Sequence, residues 1–262
     1  MRDLIDYYER RYREDVRLQN EIGPLEFART QEIIQRHLPK PPAVVLDIGG
    51  GPGAYARWLS SLGYLVHLLD PVPRHLSQAR DGARSVLSGD ARALPFANES
   101  AHAALLLGPL YHLTSRADRV TALAESRRVL RPGGVMIAAS ISRFASLLDG
   151  VMTAAIDDPA FQAIISQDLQ DGQHRAAADR PDYFTTAYFH VPDQLRAEAE
   201  EAGFADATVI AVEGPVWIAP DFQARWADPD RREVLLRYAR AVERDPAIMG
   251  VSLHVLVIGQ VT

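Results

Sequence analysis

Three carboxylates and a glycine-rich bend follow one another at regular intervals in the first half of the chain. Asp47 closes an apolar, β-type run and precedes glycines at 49, 51 and 53. Asp70 ends the next apolar run, and Asp90 follows a third. Glycine lets a backbone turn sharply and approach a ligand closely, because no Cβ stands in the way. Acids at the ends of successive strands, beside such a bend, suit the hydroxyl and amino groups of a nucleoside cofactor.

Alternating strands and helices are predicted to position these groups. Strands are expected at 43–48, 64–69, 84–88, 102–107, 135–140, 206–212 and 251–260, and helices at 2–20, 25–37, 54–62, 73–80, 115–130 and 192–202. Ser115 and Asp118 have the spacing of a capping box, and Arg131 to Gly134 predicts a turn into the fifth strand. A repeated βα pattern predicts an α/β fold with a mostly parallel sheet and right-handed crossovers.

Composition restricts the class of protein. The chain has 262 residues, a formal net charge of −6 and no cysteine, which disfavours a broad phosphate-binding surface and excludes disulfides and thiolate chemistry. No apolar run approaches the roughly 20 residues of a bilayer span, and the N-terminus has no signal core. We therefore expect a cytoplasmic protein that binds neither nucleic acid nor membrane.

The bend has two interpretations. Gly49, Gly51 and Ala54 also satisfy the loose dinucleotide pattern G-x-G-x-x-G/A, which alone is weak evidence for NAD. Four features argue against it: an acid before the first glycine, a further glycine at the helix start, a third acid at Asp90, and the Arg-Pro-Gly-Gly turn that begins at Arg131.

Together these residues resemble the class I S-adenosylmethionine-dependent methyltransferases, in the small-molecule branch that includes the quinone-biosynthesis enzymes. The resemblance implies a Rossmann-like sheet of seven strands, the last antiparallel, with helices on both faces and a helical cap. It implies S-adenosyl-L-methionine as cofactor and S-adenosyl-L-homocysteine as product, with Asp70 on the ribose and Asp90 on the adenine amino group. Arg29, a cation before the first strand, is expected at the methionine carboxylate, the alternative being a surface arginine. The full set of expected cofactor contacts is Asp47, Gly49, Gly51, Gly53, Asp70, Pro71, Asp90, Ala91, Leu107 and Arg29.

One domain is expected over 1–262, with a cofactor-binding core at 43–140. The parts outside the βα repeat are an N-terminal helical cap at 1–38 and two segments at 143–187 and 213–245, which form either a lid or structural cover for the sheet edge. Residues 192–212 and 251–260 complete the sheet. Aromatic residues are concentrated in the cap and the two segments, where a few of them could stack on a flat acceptor: Tyr7, Tyr8, Tyr12, Phe144, Tyr183, Phe184, Tyr188, Phe189, Trp217, Phe222 and Trp226.

The segment after the fourth strand is where this family places its substrate-facing motif. Here it contains Tyr111 and His112, not the Asn/Asp-Pro-Pro-Tyr of nucleic-acid and protein-amide methyltransferases, and it lacks the acid of the metal-dependent enzymes, so no metal is expected. His112 is a candidate base, or it packs beneath the cofactor. Tyr111 orients the acceptor, or it belongs to the core.

Two further catalytic candidates, Tyr188 and His190, precede the helix at 192–202 and either reach over the pocket or lie in a surface turn. His254, inside the last strand, is expected to be a half-buried histidine with satisfied hydrogen bonds. None of the remaining histidines has metal-ligand spacing with another histidine or acid: His37, His67, His75, His102 and His174.

These features predict a methyltransferase acting on a small organic acceptor at N, C or O, such as an aromatic or heteroaromatic specialised metabolite of the indole type. A monomer or homodimer is expected. A non-catalytic S-adenosylmethionine-binding module and an NAD(P)-dependent oxidoreductase are the alternatives. A nucleic-acid methyltransferase is disfavoured by the acidic balance.

Overall fold

The computed structural model describes residues 2–19, 21–175 and 183–262. The strands of this part are β1 Val44–Ile48, β2 Leu65–Asp70, β3 Ser85–Ser88, β4 Ala101–Leu106, β5 Leu130–Ile141, β6 Gln173–His174, β7 Ala187–Tyr188, β8 Thr208–Ala211 and β9 His254–Gln260. Its α-helices are α1 Arg2–Arg10, α2 Glu14–Arg17, α3 Gly23–His37, α4 Ala54–Ser61, α5 Pro73–Ala79, α6 Pro109–His112, α7 Arg116–Val129, α8 Ala145–Thr153, α9 Pro159–Asp171, α10 Pro192–Glu201, α11 Phe222–Ala227 and α12 Pro229–Val242.

The main sheet has seven strands in the order β3-β2-β1-β4-β5-β9-β8. The first five are mutually parallel, whereas β9 is antiparallel to both of its neighbours. The predicted fold class is therefore confirmed. The strand order reverses between β1 and β4, and in such sheets a crevice for ligands opens there, at the carboxyl ends of the strands.

Alternate residues of the central strands supply two separate apolar layers. Val45 and Leu105 belong to a cluster with residues of α3 and α4, whereas Leu46 and Leu106 belong to a cluster with residues of α7 and α10. Period-two alternation with apolar residues on both faces is what a strand covered on both sides requires. The layers fix the sheet and so the positions of its carboxyl ends.

The N-terminal segment differs from the single helix predicted over 2–20. It forms α1 and α2 with a break between them, and Asn20 lies outside the described residues. After the break the Tyr12 ring packs on Tyr7 and Tyr8, with ring centroids 5.4 and 5.8 Å apart. This aromatic packing turns the chain where helix propensity alone would continue it.

Two other local predictions are also wrong. Ser115 is the N-cap of α7, but its side chain makes no capping hydrogen bond, and Asp118 instead pairs with Arg92 at 3.0 Å. Residues 131–134 lie within β5 as an irregularity in its pairing with β4, rather than as a separate turn. The N–H of Gly133 donates to the Val261 carbonyl at 2.8 Å, which ties this stretch to the end of the chain.

The segments outside the βα repeat are largely helical. Residues 143–187 hold α8, α9 and the β6–β7 pair, although 176–182 fall outside the described residues. Residues 213–245 hold α11 and α12. No helix within the described ranges combines the length and apolarity needed to cross a bilayer. That the two segments act as a lid stays a prediction.

Candidate cofactor and acceptor site

The loop between β1 and α4 requires glycine. Gly49 and Gly51 have φ angles of 69° and 55°, in the left-handed region that glycine adopts without strain. A Cβ on Gly49 would lie 2.7 Å from Cγ of Pro109, and a Cβ on Gly50 would lie 2.6 Å from Oδ2 of Asp47. The loop therefore presents bare backbone to the crevice between β1 and β4.

Gly53 has a different place from its two partners in the motif. It is the N-cap of α4 with a φ of 82°, and a Cβ there would lie 3.0 Å from the Cβ of Ala79 on α5. It does not line the crevice. Its glycine character serves the close approach of α4 and α5, and a contact of Gly53 with the cofactor stays a prediction.

Asp70 is buried and already accepts three hydrogen bonds. Its Oδ2 accepts from the Gly51 N–H at 2.9 Å, and its Oδ1 accepts from the Val72 N–H at 2.8 Å and from Nδ1 of His75 at 3.1 Å. A carboxylate offers about four acceptor positions, so one is left for a ribose hydroxyl. The second acceptor is supplied nearby, because Nε2 of His75 is buried, lines the crevice and has no partner in the described chain.

Asp47 is the most perturbed acid of the site. Its side chain is 1% exposed, and neither carboxylate oxygen has a hydrogen-bond partner among the described residues. Burial and, after it, the charge of Asp70 raise the pKa of Asp47 to about 7, although the backbone N–H of Ala56 acts weakly in the opposite direction. A buried acid without a partner is costly unless a ligand cation completes it.

Asp90 is partly neutralised by a neighbouring arginine. The Arg92 guanidinium donates from Nη2 to Oδ2 of Asp90 at 2.6 Å and from Nε to Oδ1 at 3.0 Å, and it also pairs with Asp118. The hydrogen bond from Arg92 lowers the pKa of Asp90, although partial burial opposes this. The acid stays ionised and keeps little free capacity to accept from an adenine amino group.

A cavity of about 370 Å³ occupies the crevice. Such a volume is in the range of small-molecule and cofactor sites. Most of the expected cofactor contacts line it together: Asp47, Gly49, Gly51, Asp70, Pro71, Asp90, Ala91 and Leu107.

Arg29 does not belong to this cavity. Its side chain is fully buried, donating to Glu243 at 2.5 Å, to Glu32 at 2.6 Å and to the Val212 carbonyl at 3.1 Å. These partners tie α3 to the end of α12 and to the segment after β8. The expected contact with a methionine carboxylate is therefore corrected.

The short helix α2 covers the glycine loop, and the sequence did not single out its residues. Glu14 and Arg17 line the cavity, and the Cγ of Glu14 would lie 3.7 Å from a Cβ placed on Gly51. Arg17 pairs with Glu14 at 2.8 Å and with Glu26 of α3 at 2.5 Å. The i,i+3 spacing of Glu14 and Arg17 is a signal for a helical ion pair but carries no information on what it covers.

A second cavity, of about 440 Å³, adjoins the first. Tyr8, Glu14, Arg17 and Tyr111 line both, so the two cavities meet at these side chains. The second cavity is walled by further rings: Tyr12, Phe161, Tyr183, Phe184 and Phe189. Of the aromatic residues noted in the sequence, Trp217, Phe222 and Trp226 lie in a separate core cluster.

Tyr111 and His112 follow β4 on α6, at the edge of the crevice. The Tyr111 hydroxyl donates to the Leu107 carbonyl at 3.3 Å, and burial raises the pKa of Tyr111. His112 lines the first cavity but not the second, and its Nε2 is hydrogen-bonded to the Tyr8 hydroxyl at 2.9 Å. Burial lowers the pKa of His112 to about 3, so the ring is neutral and a weak base.

The other two catalytic candidates lie elsewhere. His190 is fully buried between the Ser140 hydroxyl and Glu198, whose Oε2 is 3.2 Å from its Nε2. The guanidinium of Arg119 stacks 3.7 Å above the ring of Tyr188. Neither residue lines either cavity, so the expectation that they reach the pocket is corrected.

His254, by contrast, reaches the second cavity from the start of β9. Its Nδ1 lies 2.7 Å from Oε1 of Glu213, which is fully buried, and 3.9 Å from Oε2 of Glu26. Although burial opposes ionisation, the two carboxylates raise the pKa of His254 to about 9. The sequence predicted the half-buried histidine but not its place at the cavity.

Comparison with known proteins identifies the family to which this chain belongs. A family model described as a methyltransferase domain matches residues 46–138. The ubiquinone/menaquinone biosynthesis C-methyltransferase UbiE of Acidiphilium cryptum is 31% identical over 173 residues, which are 60% of this chain and 68% of that protein. The chain belongs to the class I S-adenosylmethionine-dependent methyltransferases.

Two further similarities place this methyltransferase among its relatives. A malonyl-(acyl-carrier protein) O-methyltransferase of Methylococcus capsulatus is 35% identical over 124 residues, and the chain spans 42% of its length. The solved structure of a methyltransferase of Thermotoga maritima, described as a possible histamine N-methyltransferase, shares the fold with a TM-score of 0.58 and 17% identity, covering 92% of this chain and 93% of that one.

The cofactor of the family, S-adenosylmethionine, fits the first cavity. Its ammonium is a cation of the kind that the unpartnered Asp47 carboxylate lacks. The N–H groups of Gly49 and Gly50 donate to the Leu69 carbonyl and that of Gly51 donates to Asp70, so the loop contributes a close backbone approach rather than free donors. Asp47 thus gives the methyltransferase a complementary group for the ammonium of the methionine end.

Proposed function

We propose that this methyltransferase transfers a methyl group from S-adenosylmethionine to a small aromatic or heteroaromatic acceptor, at N, C or O. The observation that carries the proposal is the second cavity, which shares a wall that includes Tyr111 with the first cavity and is lined by aromatic rings. Flat apolar acceptors stack on such walls. The similarity to the Acidiphilium relative, a quinone-biosynthesis methyltransferase, supports the same class of acceptor.

The residues of the first cavity divide the cofactor between them. Asp47 holds the ammonium of the methionine end, Asp70 with Nε2 of His75 holds the ribose, and Ala91 beside the Asp90–Arg92 pair borders the adenine. Pro71 and Leu107 complete the walls. The bound cofactor supplies an electrophilic methyl group on a sulfonium.

The residues of the second cavity position the acceptor. Transfer requires a nucleophile about 3 Å from the methyl group and in line with the departing sulfur. Tyr111 stands where the cavities meet, and its hydroxyl is held by the Leu107 carbonyl, so its ring gives the acceptor a fixed wall at that point. His112 supports this wall, since its ring packs 4.7 Å from that of Tyr111.

The carboxylates of the second cavity argue for a small acceptor rather than a polyanion. Among the described residues, Glu14, Glu21, Glu26 and Asp149 line it, against a single arginine, Arg17. Repulsion by these acids disfavours the phosphates of a nucleic acid. The cap formed by α1 and α2, the cytoplasmic location and a monomeric or homodimeric state belong to the same proposal.

Calorimetry with S-adenosylmethionine, S-adenosylhomocysteine and NADH tests the proposal. We expect micromolar or tighter binding of the first two and none of NADH. Catalysis is then tested with a panel of small phenols, anilines and indoles, by measuring the transfer of a labelled methyl group from S-adenosylmethionine to each compound. Binding of neither adenosyl compound would refute the proposal, and binding without any transfer would favour a non-catalytic module.

A further inference from the structure

One buried acid, Glu213, lines neither cavity but lies against His254, which lines the second. Glu213 follows β8 and is fully buried. Its Oε2 accepts from the Ser252 hydroxyl at 2.7 Å and from the His254 N–H at 3.0 Å, and its Oε1 lies 2.7 Å from Nδ1 of His254. The carboxylate is thus fixed by β9 and in turn fixes one edge of the imidazole.

The opposite edge of that imidazole is available. His254 lines the second cavity with 21% of its side chain exposed, and Nε2 has no hydrogen-bond partner within the described part of the chain. A carboxylate on Nδ1 sets the tautomer so that a neutral ring carries its proton there and offers a lone pair on Nε2. This is the arrangement of a histidine base held by an acid.

We infer that Glu213 and His254 form a catalytic dyad, in which Nε2 of His254 takes the proton of an aromatic hydroxyl in the second cavity. The inference rests on the proposed function and narrows its acceptor to a phenol-type oxygen. In the step, the hydroxyl proton passes to Nε2, and an oxygen lone pair forms the new C–O bond to the methyl group. The C–S bond breaks with its electron pair going to sulfur, and the dyad ends with an imidazolium.

The charges around the His254 ring bring its pKa close to that of a phenol. Glu26 from α3 and Glu213 after β8 favour the imidazolium, whereas burial and Arg17 from α2 oppose it, and together they raise the pKa of His254 to about 9. A phenol, with a pKa near that of tyrosine at about 10, gives up its proton to such a base at small cost. An aliphatic hydroxyl does not, because its pKa is closer to the roughly 16 of water.

Glu26, Glu213 and His254 have ligand atoms within 4.8 Å of one another, a spacing that would also suit a divalent cation. The carboxylates, however, already have partners: Oε2 of Glu213 holds Ser252 and a backbone N–H, and Oε2 of Glu26 pairs with Arg17 at 2.5 Å. These contacts favour a hydrogen-bonded dyad.

A binding experiment tests the dyad without turnover. The probe is 4-nitrophenol, titrated against the full chain saturated with S-adenosylhomocysteine, because its phenolate is coloured. We expect the bound phenol to ionise at least one pH unit below the free compound, because the protonated His254 stabilises the phenolate. The shift should vanish in His254→Gln and remain in His37→Gln, a matched loss of an imidazole at the end of α3.

Turnover provides the second arm. With a phenol that is methylated, kcat should rise with pH up to about 9 and fall at least 100-fold in His254→Gln, with KM changed less than threefold. Glu213→Gln should move the inflection to lower pH. Equal ionisation of 4-nitrophenol in wild type and His254→Gln, loss of activity in EDTA, or a chain that binds S-adenosylhomocysteine but no phenol would overturn the inference. Absence of cofactor binding would instead refute the proposed function.

Discussion

Replacement of Asp47 by asparagine should stabilise the cofactor-free protein at alkaline pH. The buried carboxylate has a pKa of about 7, against 3.8 for an unperturbed aspartate. Between these values the native state binds the proton more tightly than the unfolded chain does. The free energy of unfolding therefore falls as pH rises from about 4 to 7 and then levels off.

The size of the effect follows from the pKa difference. At 1.36 kcal/mol per pKa unit, ionised Asp47 costs the native state about 4 kcal/mol above pH 7. Most of this cost, about 3 kcal/mol, develops between pH 5 and pH 8. Asparagine has nearly the shape of the protonated acid and does not ionise, so the stability gap between Asp47→Asn and wild type should widen by that amount.

Chemical unfolding of the cofactor-free protein at pH 5 and pH 8 measures this gap. Asp81→Asn, at an exposed turn after α5, is the matched control and should follow wild type at both pH values. Asp47→Asn should also weaken S-adenosylmethionine binding at pH 8 by tenfold or more, because the ammonium loses its counter-charge. Parallel stability curves for wild type and Asp47→Asn would refute the assignment of Asp47 as a buried, unpaired acid.

Two further substitutions separate ligand contacts from structural ones. His75→Phe keeps a ring against Tyr8 but removes the unpartnered Nε2 and the Nδ1 donor to Asp70, and we expect about tenfold weaker binding of S-adenosylhomocysteine in calorimetry and a loss of about 1 kcal/mol in unfolding. Arg29→Met leaves the buried Glu243 with one cation fewer, and it should cost about 3 kcal/mol in urea unfolding while cofactor affinity stays within twofold. A large loss of affinity in Arg29→Met would restore the role that its place before the first strand suggested.

That Asp47, Asp70 and Asp90 lie together at the first cavity was predictable because the strand ends fix their positions. Asp47, Asp70 and Asp90 each follow an apolar run, and parallel strands bring their carboxyl ends to one edge of the sheet. Arg29 was not predictable in the same way. Its partner Glu243 lies 214 residues further along the chain, and no local sequence pattern predicts such a pair.

The cover of the site is set by packing between segments that are distant in sequence. The chain turns at Tyr12 because that ring packs on Tyr7 and Tyr8 rather than because of any helix-breaking residue. Glu14 reaches the glycine loop only as a result of this turn. A helical pattern read over 2–20 contains these residues but not the change of direction that brings them to the cavity.

Two histidines show why the candidate base could not be chosen from sequence. His112 follows the strand that this family uses for its substrate-facing motif, yet it sits among the rings of Tyr8, Tyr111 and Phe184, where burial lowers its pKa to about 3. His254 looked like an ordinary strand residue, yet two carboxylates raise its pKa to about 9. The pKa values of His112 and His254 therefore differ by about six units in adjoining cavities. The difference comes from neighbouring side chains that only the fold brings together. A proton acceptor for a phenol needs carboxylates behind it, and among the histidines that line the two cavities in the described chain, His254 combines such carboxylates with a free ring nitrogen facing the acceptor cavity.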